Sequence, residues 1–234
     1  MYRKSNSEIE FVAAQEKVFA AISNGDAVGS TVPTRDSYGD AATCLSVVAF
    51  PSTAVAARIH DQVIAPLAAI DRQHHYYSPE TLHVTVKSIR TAATPRGFSD
   101  RDIQVASDVL REVTPSLPIF DFELSGLARF PSSIVIRAFA TVSFREAVHM
   151  LDRALQRAGI VDNKVYASND VLFGNLTLCR FTAAPSTKLL GQLASFQETC
   201  FGRMTPNALH LISCDEVCSS ESRQTHAMVK IDAS

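Results

Sequence analysis

The stretch Leu82-His83-Val84-Thr85-Val86 decides the predicted fold, because its apolar and polar side chains alternate. In an extended strand His83 and Thr85 share one face, and the three aliphatic side chains share the other. An imidazole exchanges a proton near neutral pH, and a hydroxyl beside it can donate a hydrogen bond to a phosphoryl oxygen. The stretch therefore predicts a half-buried strand whose polar face can meet a phosphate group.

A second segment, Gly174-Asn175-Leu176-Thr177-Leu178, repeats this pattern later in the chain. Each of the two segments follows a region with helical spacing of apolar residues. Their separation is close to half of the stretch from residue 41 to the C terminus. We infer a duplication, which predicts an α+β domain of two pseudo-symmetric halves with antiparallel sheets and outer helices.

The chain divides into an N-terminal appendage and one larger domain. Residues 8–22 have the apolar spacing of a helix, and residues 23–40 are rich in Gly, Ser, Thr, Asp and Pro, as in a linker. Residues 1–40 are therefore predicted to be a helix and linker that folding does not require, and 41–234 to be the compact domain. Within the domain we predict strands at 43–50, 81–89, 120–124, 134–136, 172–181, 209–212 and 227–231, and helices at 52–70, 99–113, 143–158 and from 185. Pro66 should kink or shorten its helix, Gly126 should end its strand, and Gly159 should stop its helix.

Composition excludes several classes of protein. The 234 residues are 46% hydrophobic and 20% charged, which is too apolar for a disordered chain, and the net charge of −2 gives no global nucleic-acid footprint. An apolar run long enough to span a membrane is missing, and acidic residues stand where an export signal needs an apolar stretch, so we predict a cytoplasmic protein. Five cysteines form no C-x-x-C pair, and Cys214 and Cys218 have no second ligand pair at zinc-site spacing. We predict reduced, mostly buried thiols, no metal and no cofactor.

Three segments together resemble the 2H phosphoesterase superfamily, in particular its 2′-5′ RNA ligase-like and cyclic phosphodiesterase members. The resemblance covers residues 42–232. Its carriers are Leu82-His83-Val84-Thr85-Val86, Phe122-Glu123-Leu124-Ser125-Gly126-Leu127-Ala128-Arg129-Phe130-Pro131 and Gly174-Asn175-Leu176-Thr177-Leu178-Cys179-Arg180. The last has the shape of the family's second motif, His-x-Thr-x-x-Arg.

The resemblance implies a bilobal fold in which two motifs face each other across a central groove. Such enzymes act without metal on 2′,3′-cyclic or 2′-5′ phosphodiester bonds of RNA or nucleotides. By this likeness His83 moves a proton, Thr85 and Thr177 hold the phosphate, and Arg180 lies near it. Because strict alternation would turn Arg180 away from Thr177, the arginine needs a bulge or the strand's end to reach the site.

Two further residues are predicted to contact the substrate. Tyr76 could stack on a base if its loop borders the groove, although an aromatic beside a strand is more often a packing residue. Lys87 shares the strand face of His83 by parity and would add positive charge. The other histidines have ordinary interpretations, a solvated loop for His74 and His75 and the protein surface for His149.

Asn175 is a departure from the family pattern, because it stands where the second catalytic histidine belongs. An amide cannot exchange a proton in the useful pH range. General acid–base catalysis contributes ~10²–10⁴ in rate, or roughly 3–5 kcal/mol of barrier. The chain could be a naturally degenerate member, an engineered variant, or an enzyme in which another histidine substitutes.

The sequence thus predicts a monomeric phosphodiesterase for nucleotides or RNA with a 2′,3′-cyclic phosphate or a 2′-5′ linkage, impaired by Asn175. One alternative is a non-catalytic nucleotide- or RNA-binding module on the same fold. Another is an α+β interaction scaffold whose motifs are coincidental.

Overall fold

The structure is a computed structural model, and it describes residues 5–24, 42–164 and 171–231. The strands are β1 (Thr43–Ala49), β2 (His75–Tyr76), β3 (Val84–Ala93), β4 (Phe122–Phe130), β5 (Ser133–Ala140), β6 (Gly174–Arg180), β7 (Cys200–Met204), β8 (Ala208–Cys214) and β9 (Gln224–Lys230). The helices are α1 (Asn6–Asn24), α2 (Thr53–Ile59), α3 (Ala65–Ile70), α4 (Asp100–Val113), α5 (Val142–Arg157) and α6 (Thr187–Leu193).

The strands join into one antiparallel sheet with two equivalent halves. Its order is β7-β4-β5-β6-β3-β1-β8-β9, and β2 adds to β6. Counted outward from the centre, β3-β1-β8-β9 and β6-β5-β4-β7 have the same arrangement, and the halves meet at the pair Val84 and Leu176. One half contains the unit β1-α2-α3-β3 and the other the unit β5-α5-β6, so the predicted duplication and α+β class are confirmed.

The sequence explains the longer helices well. Helix α5 buries Phe144, Ala147 and Leu151 against the core, which is the apolar stripe that predicted it. It ends before Gly159, whose φ of 83° is a conformation that favours glycine. Helix α4 begins with the side chain of Ser99 accepting from the backbone N–H of Asp102, which completes a capping box.

Pro66 shapes its helix as predicted, by interrupting it. A π-helical segment, His60–Ile64, separates α2 from α3, and Pro66 lies in the first turn of α3. The backbone stays helical through Ile64 and Ala65, so Pro66 lies within one helical run whose hydrogen-bond pattern changes at the π-helical segment.

Gly126 does not end its strand, so that prediction is wrong. Strand β4 continues through a bulge between Leu124 and Leu127, where Gly126 has a φ of 66°. A Cβ at this position would overlap the Arg137 guanidinium and the carbonyl of Gln197. The glycine therefore permits a bend and a close approach, and the strand resumes beyond it.

Helix α1 packs onto the sheet, whereas the sequence predicts an appendage. The buried Gln15 side chain donates to the carbonyl of Ala140 at 2.9 Å and accepts from the N–H of Ala140 at 2.8 Å. Phe19 is 2% exposed and its ring centroid lies 4.8 Å from that of Phe173 and 5.5 Å from that of Phe139. The domain boundary near Ala41 stays a prediction, and residues 25–41 lie outside the described residues.

Candidate functional site

A cavity of about 1050 Å³ lies where the two halves of the sheet meet. His83 and Thr85 line it from the first half. Asn175, Thr177 and Arg180 line it from the second. The structure thus brings together the residues that the two motifs contribute.

Strand alternation explains why these side chains share one space. Val84 and Leu176 are paired across β3 and β6, and both are fully buried on the core face. Thr85, Asn175 and Thr177 lie on the opposite face and are half-buried. The pairing of the two central strands therefore sets two similar polar faces side by side.

The His83 ring has a defined orientation. Its Nδ1 lies 2.7 Å from the carbonyl oxygen of Thr81, which can only accept, so Nδ1 donates and Nε2 remains for other partners. Burial alone would lower the pKa of His83, but the nearby Cys218 thiol and the hydrogen bond to the Thr81 carbonyl raise it overall. The rings of Phe50 and Tyr77 flank it, with centroids 6.2 and 6.4 Å away.

On the second strand an amide occupies the corresponding place. The Thr177 hydroxyl donates to Oδ1 of Asn175 at 3.5 Å. Asn175 can hold a ligand through hydrogen bonds, but it supplies no group that titrates.

Arg180 reaches the cavity through a bulge, as its motif position requires. The β5–β6 register shifts between Ile134 and Val135, and Arg180 is the last residue of β6. Its Nη1 donates to Oγ of Ser132 at 3.2 Å, while Nε is buried without a hydrogen-bond partner among the described residues. Burial raises the pKa of Tyr77 to about 12, although the nearby positive charge of Arg180 lowers it. Arg180 is thus held in place with one donor still available.

Lys87 and Tyr76 have other partners than those predicted. Lys87 lines the cavity, but its ammonium forms ion pairs with Asp152, at 2.7 Å, and with Asp162. Tyr76 donates its hydroxyl to the carbonyls of Leu67 and Asp71, on the α3 side, and does not line the cavity. Tyr77 lines it instead, because neighbouring side chains on an extended segment point to opposite faces.

Two histidines also differ from their predicted surroundings. His74 is 6% exposed and packs on Phe181 with its Nε2 3.4 Å from Asp71, and burial lowers its pKa, so it does not lie in a solvated loop. His149 is exposed as predicted, yet it lines the cavity from α5. The sequence did not indicate that His149 lies at this cavity, because the residue is on a helix far from both motifs in the chain.

Three thiols, Cys44, Cys214 and Cys218, line the same cavity, and sequence reasoning assigned them only a packing role. The Cys44 and Cys214 sulfurs are 3.6 Å apart, and the neighbouring Cys214 thiol and His83 imidazole lower the pKa of Cys218. Within the described ranges, no group of three or more His, Cys, Asp or Glu side chains is arranged to hold a metal ion. In the sequence, the feature that could have indicated that thiols cluster here is the four-residue spacing of Cys214 and Cys218.

Comparison with solved structures shows the fold. A protein of Thermus thermophilus superposes with a TM-score of 0.60 at 12% identity, over 80% of this chain and 97% of that chain. Escherichia coli LigT complexed with 3′-AMP gives 0.53 at 12% identity, over 82% of this chain and 99% of that chain. A conserved protein of unknown function from Agrobacterium tumefaciens gives 0.59 at 13% identity, over 92% of this chain and 99% of that chain. No protein-family model and no curated protein matches the sequence.

The sheet order and these neighbours show that the chain has the fold of LigT, an α+β fold with a large antiparallel sheet, in agreement with the fold class predicted from the sequence. The neighbours also include a protein described as a phosphoesterase, with a TM-score of 0.53 at 13% identity. Of the helices in the described part of the chain, none has the length and apolar character needed to cross a membrane.

Proposed function

We propose that this protein binds nucleotides or RNA ends with a 2′,3′-cyclic phosphate or a 2′-5′ linkage and cleaves the phosphodiester slowly, without a metal. One observation carries the proposal: His83 and Thr85 from one half, and Thr177 and Arg180 from the other, line a single cavity. The likeness to LigT, solved with 3′-AMP, supports a nucleotide as the ligand.

The phosphate would be held between the two threonines. The hydroxyls of Thr85 and Thr177 line the cavity from the two adjacent central strands, and each can donate to a phosphoryl oxygen once Thr177 gives up its 3.5 Å bond to Asn175. The guanidinium of Arg180 adds a fixed positive charge, and its buried Nε is a donor that a phosphoryl oxygen would satisfy. These groups stabilise a phosphodiester through hydrogen bonds and charge.

His83 is the group that can move a proton. The Thr81 carbonyl orients the ring, and Nε2 is left to exchange the proton. Because the pKa of His83 is raised overall, more of it is protonated at neutral pH than of an ordinary histidine. His83 is therefore suited to donate a proton to the leaving ribose oxygen.

Asn175 accounts for slow turnover. Hydrolysis also needs a base that takes a proton from the attacking water, and the amide at this position cannot do so. His149, on the cavity wall, is the residue that could take this role with lower efficiency. If it does not, the protein is a binding module, the alternative that Asn175 specifically favours.

The experiment combines binding with hydrolysis in a chelating buffer. We expect 2′- and 3′-nucleotides to raise the melting temperature by mass action, and a 2′,3′-cyclic nucleotide to be cleaved slowly. Thr85→Val with Thr177→Val keeps the shape and removes both hydroxyls, so it should abolish the shift. Binding without any cleavage would identify the binding module. No shift with any nucleotide at millimolar concentration would overturn the proposal and favour the scaffold.

Monomeric state and cytoplasmic location remain predictions. Both follow from the sequence, and size-exclusion chromatography and fractionation of the source cells test them directly.

A further inference from the structure

The four residues 161–164, which follow α5, form a wall of the cavity that is fixed against β3. The carbonyl of Val161 accepts from Nη1 of Arg90 at 2.6 Å. Oδ1 of Asn163 accepts from the backbone N–H of Thr91 at 2.9 Å. These two bonds come from the backbone of one segment and a side chain of the next residue but one, so they fix the course of the 161–164 segment and not only one of its side chains.

Lys87 makes a third connection to this segment, and its charge is used for that purpose. The Lys87 side chain is 6% exposed, and its ammonium pairs with Asp162 and, at 2.7 Å, with Asp152 of α5. The ion pairs join β3, α5 and the 161–164 segment at one point of the cavity wall. Lys87 therefore holds the wall together, and a ligand needs its positive charge from another residue.

Lys164 is the cation that the 161–164 segment presents to the cavity. Its backbone N–H donates to Oδ1 of Asp162 at 3.3 Å, and the residue lines the cavity while it stays exposed to solvent. Desolvation at the cavity wall and the positive charges of Lys87 and Arg180 lower the pKa of Lys164, against the attraction of Asp162. Lys164 and Arg180 thus repel each other, and an anion bound beside them would favour the charged form of the lysine.

The other acidic residues of the cavity lie away from Lys164. Asp215 is in the turn after β8, and its carboxylate accepts from the N–H groups of Val217, at 3.2 Å, and Ser219, at 2.9 Å. Glu216, in the same turn, is exposed. Strand β1 lies between β3 and β8, which separates those two strands by about 10 Å. The negative charge of the turn is therefore on the far side of the sheet from the 161–164 segment.

We propose that Lys164 binds a second phosphate of the ligand, so that the protein prefers RNA ends and nucleoside bisphosphates to nucleoside monophosphates. The first phosphate is the one at Thr85, Thr177 and Arg180, so this inference rests on the proposed function and extends it. A cavity of about 1050 Å³ has room for both phosphates, because pockets of ~300–1,000 Å³ hold ligands of drug size. The ammonium of a lysine is a compact charge on a flexible stem, which suits a phosphate whose position varies from one ligand to another.

Isothermal titration of the full chain with adenosine 3′,5′-bisphosphate and with 3′-AMP measures the gain from a second phosphate. We expect the bisphosphate to bind about 5- to 10-fold more tightly, a gain between those of an exposed ion pair and a charged hydrogen bond. Lys164→Ala should bring the ratio of the two affinities close to one, and Lys164→Arg should keep it. The ratio cancels any general effect of a substitution on the fold or on the first phosphate. Lys188→Ala, at an exposed lysine of α6 outside the cavity, is the matched control.

Salt dependence gives a second, independent readout. The logarithm of the affinity for single-stranded RNA falls with the logarithm of salt concentration, with a slope of about 0.7 for each phosphate neutralised. With a short single-stranded RNA that ends in a 3′-phosphate, Lys164→Ala should therefore reduce the slope by about 0.7. Lys188→Ala should leave the slope as it is in the wild-type protein.

Two results would overturn the proposal while the proposed function stands. One is equal affinity of the wild-type protein for 3′-AMP and the bisphosphate. The other is a preference for the bisphosphate that persists in Lys164→Ala. In both cases 3′-AMP still binds, which distinguishes them from failure of the proposed function, where neither ligand binds and this inference is lost as well.

Discussion

At the scale of single residues, one side chain separates binding from catalysis. Asn175 lines the same cavity as His83, and it shares a strand face with Thr177. The backbone of β6 would therefore direct the side chain of a histidine at position 175 into the cavity.

We expect Asn175→His to raise cleavage of a 2′,3′-cyclic nucleotide by ~10²–10⁴-fold, the usual contribution of one positioned acid–base group. The pH–rate profile should become bell-shaped, since one imidazole must be neutral and the other protonated. Initial rates in a chelating buffer measure both effects. His83→Ala in the Asn175→His protein should remove the gain, because the imidazoles act as a pair. A normally folded variant that binds nucleotide but cleaves it at the wild-type rate would contradict the role assigned to this position.

Arg180 supplies the charge that the phosphate would meet. A hydrogen bond to a charged group contributes ~1.5–3 kcal/mol, so Arg180→Ala should weaken nucleotide binding about 10- to 100-fold. Arg180→Lys should restore part of the affinity, because a lysine keeps the charge without the planar fork. Isothermal titration measures both, with Arg101→Ala, an exposed arginine on α4, as the control. Equal affinities for Arg180→Ala and the control would show that the guanidinium does not contact the ligand.

The motif residues were predictable from the sequence because alternation alone fixes which side chains share a strand face. Arg180 was predictable only with the proviso of a bulge, which the structure contains. The contacts of Tyr76 and Lys87 were not predictable, because strand alternation tells which face a side chain occupies but not which partners it meets there. Two aspartates approach Lys87, one from α5 and one from the segment after it. The thiols were missed because Cys44 and Cys214 meet only when β1 and β8 pair.

At the scale of elements, two glycines test the local account of the backbone. Gly126 has a φ of 66° and no room for a Cβ, whereas Gly191 lies in α6 with nothing within 4 Å of where a Cβ would stand. We expect Gly126→Ala to destabilise the fold by at least ~1–3 kcal/mol, and Gly191→Ala to stabilise it by ~0.5–1 kcal/mol. Urea denaturation measures both free energies of unfolding. Gly126→Ala with wild-type stability would show that the bulge does not need the glycine.

Helix α1 provides a second test at this scale. Phe19 is 2% exposed among aromatic rings, so Phe19→Ala should cost ~3–5 kcal/mol in free energy of unfolding. Ile9, on the same helix, is 54% exposed, and Ile9→Ala should change stability by less than ~0.5 kcal/mol. If the two variants have similar midpoints in chemical denaturation, α1 does not contribute to the stability of the domain and is an appendage.

The helical elements were the most predictable because their apolar spacing is long and regular. Strand β7 was not predicted, because Cys200–Met204 is short and lies at the sheet edge beside β4, where burial demands little of its sequence. The packing of α1 was hidden for a different reason. Its contacts, such as that of Gln15 with Ala140, lie far apart in sequence, and a linker rich in polar residues suggested independence.

At the scale of the whole molecule, the two halves of the sheet meet at β3 and β6. The register there is a single pair, Val84 with Leu176, and the cavity opens on the face above it. Helix α1 packs on the half that contains β4 and β5, and Ile22 near its end lines the cavity. The similarity to the Agrobacterium protein covers 92% of this chain, more than residues 41–234 provide alone.

We therefore expect a chain beginning at Ala41 to melt at a lower temperature than the full chain, opposite to the expectation from sequence. Loss of the Phe19 cluster and of the Gln15 hydrogen bonds exposes apolar and backbone groups on β5. Differential scanning calorimetry compares the two chains directly. An unchanged, cooperative melt of the shorter chain would support the original prediction that residues 1–40 are dispensable.

The central claim is that both halves of the sheet hold one phosphate. A crystal structure of the full chain with a 3′-nucleotide tests it most directly. The account predicts the phosphate in the cavity, with the hydroxyls of Thr85 and Thr177 each about 3 Å from a phosphoryl oxygen and His83 facing the ester. A nucleotide bound elsewhere on the surface, with this cavity unfilled at a saturating concentration, would contradict it.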